Sequence, residues 1–202
     1  MYKKFSTFAL VIGMMVSFSA SAASAACNVK DERICAINAK LQAQVSTKVE
    51  YVDAAPSADS VTGVEYDYVA PGKHIIRVGD TRHLDDSALM FAVAHEYASA
   101  AFNHGRQRFE HVALRSDLQL SNAELIEKYA AHVVGTKPAL KVYNHKKVYE
   151  ADTLAVTVLG NLGEDVMHAM QSALPAGDAT ATHPTREARM AKAKEFLEKQ
   201  KS

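Results

Sequence analysis

The sequence predicts an α+β fold, mainly α, in a single domain, and three observations carry that prediction. Apolar residues recur at helical spacing over most of the chain beyond residue 30. One region, VEYDYVAPGKHIIRVGD, is instead rich in β-branched and aromatic residues on either side of Pro71-Gly72. A third segment, DDSALMFAVAHEYASAAFNH, has helical character yet is apolar almost all round, which suits the middle of a protein rather than its surface. The 202 residues are enough for one ordinary core, and a composition of 48 % apolar and 23 % charged residues is globular. Lys+Arg and Asp+Glu number 23 each, and no basic stripe carries interleaved aromatics, so no nucleic-acid partner is expected.

The elements follow in order. Lys3 and Lys4 precede an apolar run, FALVIGMMVSF, and then small residues, SASAASAA, with A-x-A cleavage options after Ala22 or Ala25. The run falls short of the roughly 20 residues a membrane span needs. Residues 1–25 therefore read as a secretory signal peptide and 26–202 as one domain, periplasmic or secreted, with no transmembrane segment in the mature chain. Cys27 and Cys35 are the only cysteines, and in an oxidising compartment an even pair reads as a disulfide. Lipid attachment at Cys27 is the rival; Ser24 suits it poorly, and it would leave Cys35 unpaired.

A first helix is expected over residues 31–50, where Ile34, Ile37, Leu41 and Val45 share a face. Two strands follow around Pro71-Gly72, with Tyr66 and Tyr68 on a strand face. The central helix should run from Asp85 to about His104, with Asp85 and Asp86 as helix-start charges and Gly105 ending it. Ser121 and Glu124 form an S-x-x-E capping box for a helix reaching Gly135. A link through Pro138 leads to a helix around VYEADTLAVTVLGNLG, and EDVMHAMQSAL makes a shorter one that stops at Pro175-Ala176-Gly177. The last helix starts at Pro184, and Lys192, Lys194, Lys199 and Lys201 suit its C-terminal end and a solvated tail.

The chemistry begins with Val93-Ala94-His95-Glu96-Tyr97-Ala98-Ser99. Residues four apart on a helix share a face, so H-E-x-x-H brings two histidines to one zinc, with the Glu polarising the metal-bound water. Here His95 and Glu96 are in place and Ser99 stands where the second histidine belongs. Alone, such a pair reads equally well as a core histidine with a satisfied partner.

Three stretches in order give the pair more weight: VAHEYASAAFNH, YEADTLAVTVLGNLG and THPTREARM. Together they resemble the HtpX-like and CAAX-prenyl-endopeptidase metallopeptidases, family forty-eight of that class, over about Val64 to Lys194. The resemblance implies a zincin-type fold with a small edge sheet and a central active-site helix. By that resemblance His104 matches a further histidine of the helix, and the E-x-x-A-D block matches through Ala151, Asp152 and Ala155. His183, Pro184 and Arg189 match a His-Pro pair with its arginine. Glu96, Asp152, His183 and Arg189 would then be catalytic or supporting residues, with zinc, if any cofactor, on His95.

Two ligand positions depart from the pattern. Ser99 replaces the second histidine, and counting back from Asp152 puts Val148 at the third, glutamate position. Glu150 lies two residues along, about 200 degrees round a helix, and only a register slip would bring it to face His95. Catalytic zinc takes three protein ligands and an open position, so one remaining ligand does not sustain it. A site rebuilt from His95, His145 and His183 stays open as an alternative, since imidazole suits several metals. His74, His83, His111, His132 and His168 read as surface or satisfied core residues. There is no G-x-S-x-G, no C-x-x-C and no Gly-rich phosphate loop.

The function expected is that of an exported, degenerate metallopeptidase relative, without catalysis or with little. It would bind an extended segment of another polypeptide or envelope protein, with KHIIRV as the edge strand that pairs with it. The alternatives are an active periplasmic metalloendopeptidase with an unusual ligand set, and a structural interaction protein without metal.

Overall fold

The computed structural model describes residues 27–56, 60, 62–70, 73–113, 138–180 and 182–201. The signal-peptide segment, the Pro71-Gly72 turn, the capping box of Ser121 and Glu124, and His132 lie outside these. The described residues form six helices: α1 (Glu32–Gln44), α2 (Asp86–Ala101), α3 (His104–Ala113), α4 (Pro138–Asn161), α5 (Val166–Ala173) and α6 (Arg186–Gln200). Three strands, β1 (Glu50–Asp53), β2 (Val64–Ala70) and β3 (Lys73–Val78), make one small sheet. The fold is thus α+β and mainly α. No described helix is long and apolar enough to cross a membrane.

The centre is α2. It packs against α1, α4, α5 and the sheet, so residues Ala88 to His95 and Tyr97 to Ala100 are buried on every side of it. This is why its sequence lacks a polar face. Leu89, Phe91 and Val93 are essentially inaccessible, each contributing about 1.5–3 kcal/mol of burial in the larger cases. Asp85 caps the helix, accepting from Ala88 N–H at 2.7 Å. Asp31 caps α1 in the same way, and Arg33 ties the two helix starts together through Asp31, Asp86 and the Leu84 carbonyl. Cys27 and Cys35 form a disulfide across the start of α1.

Three features of the chain before α4 differ from the sequence expectation. The first helix stops at Gln44 rather than continuing to residue 50, because Tyr97 on α2 holds the next turn of chain. Its phenolic oxygen accepts from Thr47 N–H at 3.2 Å and lies 2.8 and 2.6 Å from the carbonyl oxygens of Val45 and Thr47. The chain beyond that turn then forms β1, which overlaps the expected helix only at Glu50. The central helix stops at Ala101, not at His104: Asn103 takes a left-handed φ of 56°, and the chain restarts as α3, with Gly105 inside that helix rather than ending α2. Finally, KHIIRV is not an edge strand. It is β3, in the middle of the order β1-β3-β2, parallel to β1 and antiparallel to β2.

The remaining helix ends follow local chemistry. Pro138, expected in a link ahead of a helix around residues 148–163, instead opens α4 at its first position, where a missing N–H costs nothing, so the helix starts ten residues earlier than expected. Gly163, at φ 78°, ends it, with Glu164 N–H returning to the Leu159 carbonyl. Thr185 caps α6 through Ala188 N–H, leaving Pro184 just outside. This places His183 immediately ahead of α6, and Arg189 one turn into it.

Candidate functional site

α2, β2, α3, α4 and the segment leading into α6 enclose a cavity of about 100 Å³. His95, Glu96 and Ser99 face it from α2, Arg108 from α3, Asn144 from α4, and His183 and Arg189 from the α6 end. Tyr66 and Val64 of β2 form its opposite wall.

Asp152 is the buried anchor. Arg189 grips its carboxylate with two bonds, from Nε at 2.8 Å and Nη2 at 2.6 Å, and His95 Nδ1 lies 2.8 Å from the same group. Burial alone would raise the Asp152 carboxyl, but the Arg189 charge and the bonds from Arg189 and His95 outweigh it and hold the group well below the usual carboxylate range. An ionised carboxylate can only accept. Nδ1 of His95 therefore carries the proton, and the Arg189 Nη2 at 3.3 Å is a neighbour rather than a donor to that nitrogen. In its neutral form the ring is thereby held as the Nδ1–H tautomer with Nε2 as the acceptor, the arrangement second partners impose on metal-binding and proton-accepting histidines alike. Phe91 packs beneath both His95 and Arg189, at 6.2 and 5.8 Å.

Glu96 behaves differently. Its Oε2 accepts from the backbone N–H of Tyr66 at 2.8 Å, joining α2 to β2. Burial raises its pKa, with the nearby His95 and the Tyr66 bond acting against that rise. Thr62 completes the lining of the strand start: its hydroxyl lies 3.4 Å from Val64 N–H and 3.2 Å from the Val64 carbonyl, which Ser60 also reaches. The beginning of the β2 edge that faces the cavity is therefore already hydrogen-bonded within the chain.

The metal implied by the sequence resemblance needs three ligands at one point. His95 offers one. Ser99 faces the cavity with a neutral hydroxyl. On α4, Asn144 lines the cavity and Asp152 meets His95, so Val148, midway between them, presents a buried hydrocarbon on the same face. Glu150 points elsewhere: its Oε2 is 2.7 Å from Lys147 Nζ and 3.2 Å from His104 Nε2. The expectation that it does not face His95 agrees with this geometry. His145 bonds the Thr180 carbonyl at 2.9 Å and is not among the cavity residues, whereas His183 is, with its Nδ1 on Thr182 at 2.9 Å. Among the described residues no three His, Cys, Asp or Glu side chains are placed to hold one metal ion. The donor set does not fit a catalytic zinc.

His104, matched by resemblance to a further histidine of the active-site helix, sits on α3 instead and is completely buried. Phe102 stacks on it at 5.4 Å, and neither ring nitrogen makes a hydrogen bond with a described residue, despite the nearby Glu150. Burial, then the charges of Arg108 and Lys147, push its pKa down to about 2. His74 bonds the Tyr66 hydroxyl at 3.0 Å, while His83 and His168 are exposed; the His111 side chain lies outside the described residues. Asn144 and Arg108 are among the site residues that the sequence reading did not single out, as are Thr62, Phe91 and Thr182. Asn144 carried a signal, lying eight residues before Asp152 on one helix face. Arg108 carried none, because its placement depends on the break at Asn103.

Against known proteins, the sequence model described as Peptidase family M48 matches residues 39–197, well over half of the chain. No curated protein and no solved structure matches.

Proposed function

The chain belongs to Peptidase family M48, and from that membership we propose that it is an exported family member with a degenerate zinc site, which binds polypeptide in its cleft with little or no catalysis. One observation carries the reading: of the three positions that hold zinc in the resemblance, only His95 has a metal-binding side chain. Ser99 and Val148 hold the others, and Glu150 is engaged by Lys147 away from the cavity. Loss of a supporting partner alone typically costs about 10- to 100-fold in metal affinity or activity, and two lost ligands cost far more. Glu96, the residue that would activate water, is bonded instead to the β2 backbone.

The surrounding framework is kept. The His95–Asp152–Arg189 cluster, His183 and the cavity all remain, which supports retained binding rather than a purely structural role. An extended segment would approach along β2, since β3 is covered on both sides. Export rests on the signal-like residues 1–25 and agrees with the Cys27–Cys35 disulfide.

A second reading, a working metalloendopeptidase with an unusual ligand set, draws support from His95 and His183 sharing the cavity. Elemental mass spectrometry of the protein, purified without chelator or affinity tag, separates the two. We expect no stoichiometric metal, even after zinc is offered in excess. Near-stoichiometric zinc that disappears with His95→Ala would establish the enzyme reading in its place.

A further inference from the structure

With no metal-ligand set assembled, the cation that faces this cavity is one the chain supplies. The left-handed turn at Asn103 swings α3 back beside α2, and so brings Arg108 to the same cavity as His95, Glu96 and Ser99. The Nε of Arg108 is fully buried and has no hydrogen-bond partner among the described residues. A desolvated donor left unpaired costs roughly 1–3 kcal/mol, and more when charged. The other guanidinium at the cavity, Arg189, bonds Asp152 through its Nε and Nη2. Of the neighbouring acids, Glu65 and Glu96 line the cavity wall with Arg108, and the Arg108 charge acts on Glu96, but Glu96 Oε2 accepts from Tyr66 N–H and Glu150 is held by Lys147. No hydrogen bond from a described residue satisfies the Arg108 Nε.

We propose that this cavity binds a carboxylate, recognised by Arg108, with Thr182, Asn144 and His183 as the polar groups around it. A guanidinium presents its N–H donors in a flat fork that matches a planar carboxylate. The size agrees, since a cavity of about 100 Å³ has room for a carboxylate and its stem. A doubly charged anion such as phosphate fits less well, because Glu65 and Glu96 line the same wall. The carboxylate has two sources, the C-terminus of a polypeptide or a small free acid. The first rests on the proposed function and sharpens it: with the start of the β2 edge already bonded, a polypeptide would be held by its end rather than by strand pairing there.

The experiment uses the chain from residue 26 onward. Propionate is titrated while the Arg108 Nε–H resonance is followed by ¹⁵N NMR, the signal being assigned by its loss in Arg108→Lys, and propionamide serves as the neutral control. In parallel, binding of a randomised octapeptide pool with free C-termini is compared with the same pool amidated. The expected result is a saturable Arg108 shift with propionate alone, and at least about 10-fold tighter binding of the acid pool. That preference should vanish in Arg108→Gln and survive in part in Arg108→Lys, in line with the strength of charge-assisted bonds. Unchanged near-ultraviolet circular dichroism in both variants separates lost recognition from lost folding. An unmoved Arg108 signal with equal binding of the two pools overturns the carboxylate site and leaves the polypeptide cleft standing. A propionate shift with neither pool bound keeps the carboxylate site, assigns it to a small free acid, and removes the polypeptide reading.

Discussion

At the scale of single residues, the buried Asp152 sets the character of the site. One carboxylate, with its two oxygens, receives a bidentate guanidinium and an imidazole in a dry interior. Such clusters contribute little net stability when complete but are costly to break, because the surviving charge is left without a partner. Arg189→Met should therefore destabilise the fold by about 3–5 kcal/mol, seen as a lower urea midpoint with an unchanged slope; a loss under 1 kcal/mol would mean that water reaches Asp152. The same cluster still holds His95 in the orientation a metal would require, so what is missing is confined to positions 99 and 148. Ser99→His alone should not confer zinc binding. Ser99→His with Val148→Glu should be less stable than the parent without metal, since it buries a carboxylate in the place of valine. Zinc should then raise its melting temperature, with about 2.7 kcal/mol gained at 100 times the dissociation constant. If zinc stabilises the parent chain equally, the ligand positions have been misassigned.

At the scale of elements, the helix α2 and the residues on it were legible because burial on all sides leaves an unmistakable composition. The same holds for α5, α6 and the end of α4, whose caps and glycine or proline punctuation are local; the first ten residues of α4 read as a link from sequence. What was not legible is tertiary in origin. Nothing local separates residues 45–50 from the end of α1; the Tyr97 hydroxyl, fifty residues away, decides it. Strand order cannot be read from KHIIRV either: its apolar residues suit an edge or a centre, and β1, the four-residue strand that makes it central, was too short to stand out just beyond the expected helix. The turn between α2 and α3 is an intermediate case, since Asn is the residue after glycine most tolerant of left-handed backbone. That tolerance makes a testable point. Asn103→Gly should keep the break and change stability by less than about 1 kcal/mol, whereas Asn103→Val should cost about 1–3 kcal/mol through backbone strain. Because Arg108 depends on that turn, the valine variant should also weaken the propionate response.

At the scale of the whole molecule, the interior holds ionisable groups in forms that acid opposes, and the sign of the effect is the same for most of them. His104 is completely buried, and its pKa is pushed from the ordinary 6.5 to about 2; His183, half-buried at the cavity, is pushed to about 3. Between those values and 6.5 the unfolded chain binds protons that the folded chain refuses, so stability is complete above pH 6.5 and declines as pH falls. Asp31, held by Arg33 and lowered to about 2, extends the decline below its ordinary 3.8 by the same rule. Glu96, raised by burial, runs the other way: it adds stability in acid that is lost as pH rises through its folded value, and so blunts the slope without reversing it. Urea denaturation at pH 7.5, 6.5, 5.5 and 4.5 should show a progressive loss approaching about 1 kcal/mol per pH unit for each fully buried histidine. His104→Gln should flatten that slope whatever it does to stability at pH 7.5, because it removes the titration and leaves the packing defect constant across the series. An unchanged slope in that variant would place the acid sensitivity on other groups, with His183 the next to substitute.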